Sequence, residues 1–211
     1  MDEKHLLKLM DKAYKSGGYL LICGERGVEL CCREAWRFGI DKDKVTAKLK
    51  AKLVEHMDFL PTEHGAWWVR PDGAQYAEMT VALQEAAAWI PMRMLPVLQT
   101  AITYGGLVFY QNEKTKVCAA IPSSWLLTAG QTGISVDTAA GLCYCEEEGV
   151  SASGICVTKR TETATDNGLK LRAVLKALEQ VRIVGACVEE ELAGQQDLMD
   201  SGENAEGTES E

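Results

Sequence analysis

Hydrophobic positions in the first sixteen residues fall at helical spacing. Leu6, Leu7, Met10, Ala13 and Tyr14 share one side of a helix, and Lys4, Lys8, Lys12 and Lys15 lie largely on the other. Gly17-Gly18 ends that helix, because glycine accepts the left-handed backbone of a helix C-terminus without steric cost. The period then drops to two. Tyr19 to Cys23 is an apolar run and Gly24-Glu25-Arg26-Gly27 a turn. Beyond it Val28, Leu30 and Cys32 alternate with Glu29, Cys31 and Arg33, which predicts a β-hairpin. A second helix is predicted from Asp41 to Met57, capped by Asp41 or Asp43, with Val45, Leu49, Leu53 and Met57 as its buried stripe. Trp67-Trp68-Val69 enters a turn at Arg70-Pro71-Asp72-Gly73, and Gln75 to Met79 returns from it.

From Thr80 to Tyr104 the chain is apolar and reads as mostly helical, broken or kinked where Pro91 and Pro96 remove backbone donors. Leu107 to Tyr110 and the stretch holding Val117, Ala119 and Ile121 are predicted strands around Asn112-Glu113-Lys114-Thr115. An internal repeat is suggested here. Ala13, Gly17, Gly18 and Glu25 match Ala101, Gly105, Gly106 and Glu113 at an offset of 88; Val28, Leu30, Cys32 and Trp36 match Val117, Ala119, Ile121 and Trp125 at 89. Any helix–glycine–hairpin unit would produce a similar pattern. Further on, Ile134 to Val136 is a short strand, and Leu142 to Glu146 pairs with Gly154 to Thr158. Asp166 or Asn167 caps a last helix whose apolar face is Leu169, Ala173, Val174, Ala177, Leu178 and Val181.

These elements predict an α+β fold of helix–β-hairpin units, with antiparallel sheet covered by helices. The expected organisation is a helix–hairpin lobe over 1–79, a second α+β lobe over 80–188 and a disordered acidic C-terminal tail over 189–211. That tail has nine acidic residues and no Lys or Arg, whereas the other 188 residues balance 22 acids against 22 bases. The net charge of −9 therefore belongs to the tail. A neutral body has no field to concentrate phosphate polyanions, so nucleic-acid binding would need a local patch.

The start, Met1-Asp2-Glu3-Lys4-His5, lacks the basic and apolar regions of a secretory signal, and every apolar run falls short of a membrane span. With no signal, the eight cysteines are expected to stay reduced in the cytosol, most of them as small buried hydrophobes.

Cys143 and Cys145 share one side of a strand and Cys156 lies on its expected partner, so these three with Cys118 are the candidate zinc ligands. No Cys-x-x-Cys knuckle accompanies them. A nucleophilic cysteine would need His5, His56 or His64 as its base, of which His64 has a loop setting. Neither phosphate-binding glycine motif occurs, nor does the hydrolase Gly-x-Ser-x-Gly elbow. No cofactor is implied. Lys44, Lys48 and Lys52 fall at helical spacing and could track phosphates, as could Lys170, Arg172 and Lys176, although such stripes are commonly solvated faces.

Five tryptophans remain (Trp36, Trp67, Trp68, Trp89 and Trp125). Of the adjacent pair Trp67 and Trp68, one must face the core and the other away; the outer one is either a binding anchor or covered by a second layer. The reading favoured by elimination is a non-catalytic cytosolic accessory protein. It would bind a protein partner through hairpin edges and exposed aromatics, in the style of inhibitors or regulators from bacterial or phage genomes. The alternatives are a nucleic-acid-binding module using the lysine faces and a zinc- or thiol-dependent enzyme.

Overall fold

The computed structural model describes residues 1–33, 35–61, 64–161 and 166–184. The predicted acidic tail lies outside these residues, as does Cys187.

Asp2 caps α1 (Glu3–Lys15), its carboxylate accepting the His5 amide at 3.1 Å. Leu6, Met10 and Ala13 face inward, as their spacing predicts. Tyr19–Cys23 (β1) and Gly27–Cys32 (β2) form the expected hairpin. Trp36–Asp41 (β3) then pairs with β2. The alternation of Trp36, Phe38 and Ile40 signals this strand, which the sequence reading passed over. Asp41 ends β3 and leads into a 3₁₀ turn, Lys42–Lys44, not into the expected α-helix. After a 3₁₀ turn, α1 (Glu3–Lys15) finds its partner in α2 (Ala47–Met57), capped by Thr46, whose hydroxyl accepts the Leu49 amide at 3.1 Å. Gly65–Arg70 (β4) and Gly73–Ala77 (β5) complete the next hairpin.

The predicted helical stretch 80–104 is only partly helical. After α3 (Met79–Ala87) come β6 (Leu95–Pro96) and β7 (Leu98–Tyr104). Two local facts explain this. Pro91 and Pro96 break the helical ladder, and Gly105-Gly106 adopts φ of 57° and 79°, the backbone of a tight hairpin turn. That turn folds β7 onto β8 (Leu107–Gln111). The matched glycines at 17–18 close a helix instead, so the counterparts of helix α1 lie in a strand and the 88-residue offset equates unlike elements.

Cys118–Pro122 (β9) leads into α4 (Ser123–Ala129). Ser135–Asp137 (β10), Leu142–Glu147 (β11) and Val150–Ile155 (β12) form a meander, with a tight turn at 148–149 between the last two strands. Val157–Thr158 (β13) leaves that sheet for the other, so the expected strand 154–158 is divided between two sheets. In α5 (Asp166–Leu178) the buried stripe is Leu171 and Leu175, with Leu178 beside them. Leu169 and Val174, expected inside, are exposed.

All the pairings are antiparallel. One sheet runs β5-β4-β1-β2-β3-β12-β11-β10-β6 and the second β13-β9-β8-β7. The first takes five strands from residues 1–79 and four from 80–188, so the expected boundary at 79 falls within a continuous sheet. The main core lies between one face of this sheet and a layer made by α1, α2, α4 and the second sheet. Helix α3 covers part of the outer face of the first sheet, and α5 covers the outer face of the second. No helix among the described residues is long and apolar enough to cross a membrane.

Candidate functional site

Cys143, Cys145 and Cys156 sit in the main core, while Cys118 lies beneath α5 in a separate cluster. Their sulfurs donate to carbonyls: Cys143 to Gly154 at 3.2 Å, Cys145 to Ala129 at 3.5 Å and Cys118 to Lys116 at 3.5 Å. Burial drives the Cys143 thiol well above its ordinary value and pushes Cys145 and Cys118 up to about 11 and Cys156 to about 12. A nucleophile or zinc ligand must be a thiolate, and this environment opposes it. His64, the proposed base, is exposed; it shares a shallow depression with Cys23, whose thiol burial pushes up to about 11. In native protein at pH 7.5, Cys118, Cys143, Cys145 and Cys156 should resist iodoacetamide and should label fully after unfolding. Site-by-site mass spectrometry checks this.

An imidazole, a phenol and a carboxylate do converge around His56, which the sequence reading weighed only as a base for a cysteine. His56 projects from α2 into the seam with α1, stacked on Tyr14 at 4.1 Å between ring centroids. Its Nδ1 meets the Tyr19 hydroxyl at 3.1 Å and its Nε2 meets Asp11 at 3.1 Å. Lys52 completes the group, reaching Asp11 at 3.0 Å and Glu55 at 2.7 Å. Asp11, Glu55 and His56 are the one trio among the described residues with ligand atoms close enough to share a metal ion, but the Lys52 ammonium already supplies the cation there. Tyr19 and His56 are buried, and the arrangement bonds α1, α2 and β1 together.

The predicted lysine stripe is also divided. Lys44 precedes the α2 cap, Lys52 is held in the network just described, and Lys48 extends into solvent 3.9 Å from Glu3. On the last helix, Arg172 donates to the Lys159 carbonyl at 3.2 Å. Trp67 and Trp68 point to opposite faces of β4, as a strand requires, and both are half-buried. Trp67 packs edge-on to Phe59 and Tyr76. Trp68 belongs to the face that α3 partly covers.

Trp68 also opens onto a cleft of about 590 Å³ at the end of the sheet. Trp36 at the start of β3 and Trp125 in α4 form its apolar wall. Lys12, Arg33 and Arg70 bring positive charge to it, and no Asp or Glu among the described residues lines it. The geometry follows from local rules. Trp68 and Arg70 are two residues apart on a strand and so share a face, where the guanidinium stacks over the indole at 5.7 Å. Gly18 lets the end of α1 approach them: with φ of +102°, it has no room for a Cβ, which would fall 2.3 Å from the Val69 carbonyl oxygen and 2.7 Å from Arg70 Cγ. Trp125 is seated over Gly154, where a Cβ would lie 2.6 Å from the indole ring, and its buried Nε1–H has no acceptor among the described residues.

Lys12 and Arg70 have no carboxylate partner among the described residues, and Arg33 reaches only Glu85, at 3.6 Å. The cleft thus combines aromatic surface with two cations, Lys12 and Arg70, that no described carboxylate pairs. A second depression of about 560 Å³, on the far side of the molecule near α3, differs in kind: its Arg26 and Arg37 are matched by Glu25, Glu29, Asp41 and Glu146. Sequence reasoning picked out Trp36, Trp68 and Trp125 individually but had no means of bringing them together from three separate elements.

No protein-family model matches this chain, and no curated protein or solved structure matches it.

Proposed function

We propose that this chain is a non-catalytic binding protein that receives an acidic segment of a protein partner, anchored by an apolar or aromatic side chain, in the cleft of Trp36, Trp68 and Trp125. The observation that carries this reading is the pairing of that aromatic wall with Lys12, Arg33 and Arg70, with no carboxylate among the described residues that line it. Aromatic and arginine residues dominate binding energetics because they desolvate large surfaces while offering directed polar contacts. A carboxylate placed between Lys12 and Arg70 would gain charge-assisted hydrogen bonds, and the guanidinium can present two donors to it at once. The cleft's volume suits a few side chains. It is too confined to track a polynucleotide backbone, and the rest of residues 1–188 adds no net positive charge. The structural hydrogen bonds that occupy His56 and the buried thiols also favour binding over turnover.

A glutamate–tyrosine copolymer tests the proposal, with intrinsic tryptophan emission as the signal. Binding is expected at low salt, and Arg70→Ala should weaken it about tenfold, the worth of one charge-assisted contact. Failure of the copolymer to bind, or tighter binding of oligothymidylate, would reject the reading; the second outcome would favour the nucleic-acid alternative.

A further inference from the structure

We infer that the outer edge of β5 is a second binding surface. It takes up an extended segment of a protein partner, with apolar residues at alternate positions and a basic residue at each end. No residue of β5 lines the cleft, so the two surfaces are independent.

The two sheets end in four edge strands, β5, β6, β7 and β13, and three of them are blunted. β6 and β13 are two residues long. β7 is interrupted by a shift of register between Gln99 and Thr103, where the Thr100 hydroxyl donates to the Phe109 carbonyl at 2.9 Å. β5 has none of these protections. Gly73–Ala77 holds no proline and no charge, and it pairs with β4 in unbroken register from Arg70 with Gly73 to Ala66 with Ala77. The hairpin loop has two residues, so its closing pair, Arg70 and Gly73, exchanges hydrogen bonds, and alternation turns the backbones of Gln75 and Ala77 to β4 as well. The N–H and C=O groups of Ala74 and Tyr76 therefore face outward. Among the described residues no hydrogen bond reaches them. A strand added at this edge would pair with both.

The side chains say what that strand should carry. Ala74 and Tyr76 share a face with their β4 partners, Val69 and Trp67. Tyr76 is 71% exposed and stands edge-on to Trp67, which also meets Phe59, itself 42% exposed. Incoming residues paired with Ala74 and Tyr76 project onto this same face, so apolar side chains there would cover the aromatic cluster, and the small Ala74 leaves them room. Asp72 and Glu78 flank the strand, both exposed and in no ion pair among the described residues. They are six positions apart, which sets the spacing of the basic residues that complement them. A second copy of this chain fits less well. Antiparallel pairing centred on Gln75 would set Asp72 of one copy opposite Glu78 of the other. These acids oppose self-association and favour a basic strand.

A heptapeptide of alternating threonine and valine with a lysine at each end (lysine–threonine–valine–threonine–valine–threonine–lysine) tests this on the full-length protein. The sequence reads the same both ways, so it suits parallel and antiparallel pairing alike. Amide hydrogen exchange followed by NMR is the signal. At millimolar peptide and low salt, exchange at Ala74 and Tyr76 is expected to slow at least about fivefold, while Gln75, already bonded to β4, changes little. The same peptide ending in glutamates should bind about tenfold more weakly, and that preference should reverse in the double variant Asp72→Lys with Glu78→Lys. Both positions are exposed and Glu78 makes no side-chain cap to α3, so the exchanges leave the fold intact. The comparison of the two peptides on the unaltered chain needs no variant. Three results would overturn the inference: no slowing at Ala74 and Tyr76, equal binding of the two peptides, or slowing that grows with protein concentration alone. The last would make this edge a contact between copies. None of them bears on the cleft, which the copolymer and Arg70→Ala test separately.

Discussion

Asp137→Ala is expected to destabilise the protein by about 3–5 kcal/mol, because it strips one buried carboxylate from several backbone donors at once. Asp137 ends β10 and is buried. One oxygen accepts the Ala139 and Ala140 amides at 2.9 and 3.1 Å, and the other accepts those of Met92 and Arg93 at 3.1 and 3.0 Å. The first pair shapes the turn into β11. The second ties down the irregular stretch after α3, where Met92 itself stands almost wholly in solvent. Burial works to raise the Asp137 carboxyl, and the amide hydrogen bonds outweigh it, leaving the group below its ordinary value of 3.8. Because the folded state binds this proton less readily than the unfolded chain, the carboxylate's contribution is complete above about pH 4 and lost as pH falls through the depressed folded value. At neutral pH the variant should melt roughly 10 °C lower, and Asp137→Asn should recover only part of that, since its NH₂ would face amides that need an acceptor. A melting temperature within about 2 °C of the parent for Asp137→Ala would show that these four bonds do not hold the two segments.

The regular elements were legible where one physical signal dominated. Leu6, Met10 and Ala13 gave α1 its buried stripe, and Leu49, Leu53 and Met57 did so for α2. The alternation of Val28, Leu30 and Cys32 fixed which side of the first hairpin meets the main core. The α+β architecture followed from these. Errors arose where two signals competed. Between residues 88 and 104 high apolarity suggested helix, yet the chain pairs with β8 through Gly105-Gly106, and a turn of two residues decides the outcome over a long stretch. In α5, apolar residues occupy more than one face, so periodicity alone could not choose between Leu169 with Val174 and Leu171 with Leu175; packing on Phe109 and Ala120 makes that choice. The cleft needed still more. Its six key side chains come from α1, the β2–β3 connection, β3, β4 and α4, and they meet through a strand order that no local pattern encodes. The His56 network was missed for a related reason. A histidine on a helix reads as a surface residue until the neighbouring helix supplies Tyr14 to stack on it and Asp11 to bond it.

That network gives the second large effect, and its signature is a dependence on pH. With neutral His56, the Tyr19 hydroxyl donates to Nδ1 and Nε2–H donates to Asp11, so each buried polar group finds its complement. Protonation would put a second donor opposite Tyr19 and a charge inside the seam. Burial accordingly lowers His56 below its ordinary 6.5; Asp11 and the more distant Glu55 oppose the shift, and the Lys52 ammonium adds to it. The unfolded chain therefore takes up this proton first. Stability should be full above about pH 7, decline as pH falls below 6.5 and level off only once the folded value is passed, with a slope of up to about 1.4 kcal/mol per pH unit. Asp11 adds a separate loss at lower pH. Burial would raise its carboxyl, but hydrogen bonds from Lys52 and His56 hold it below 3.8. His56→Phe separates the two windows. The ring keeps its stacking on Tyr14 but strands the buried Tyr19 hydroxyl, so at pH 8 the variant should be less stable by about 2–3 kcal/mol. Between pH 6.5 and 5 that deficit should shrink, because only the parent is losing the histidine contribution. Urea unfolding of both proteins across this range reads the difference. A deficit that stays constant from pH 8 to pH 5 would mean that the folded and unfolded chains bind the His56 proton equally, and the downward direction assigned to its shift would then have to be revised.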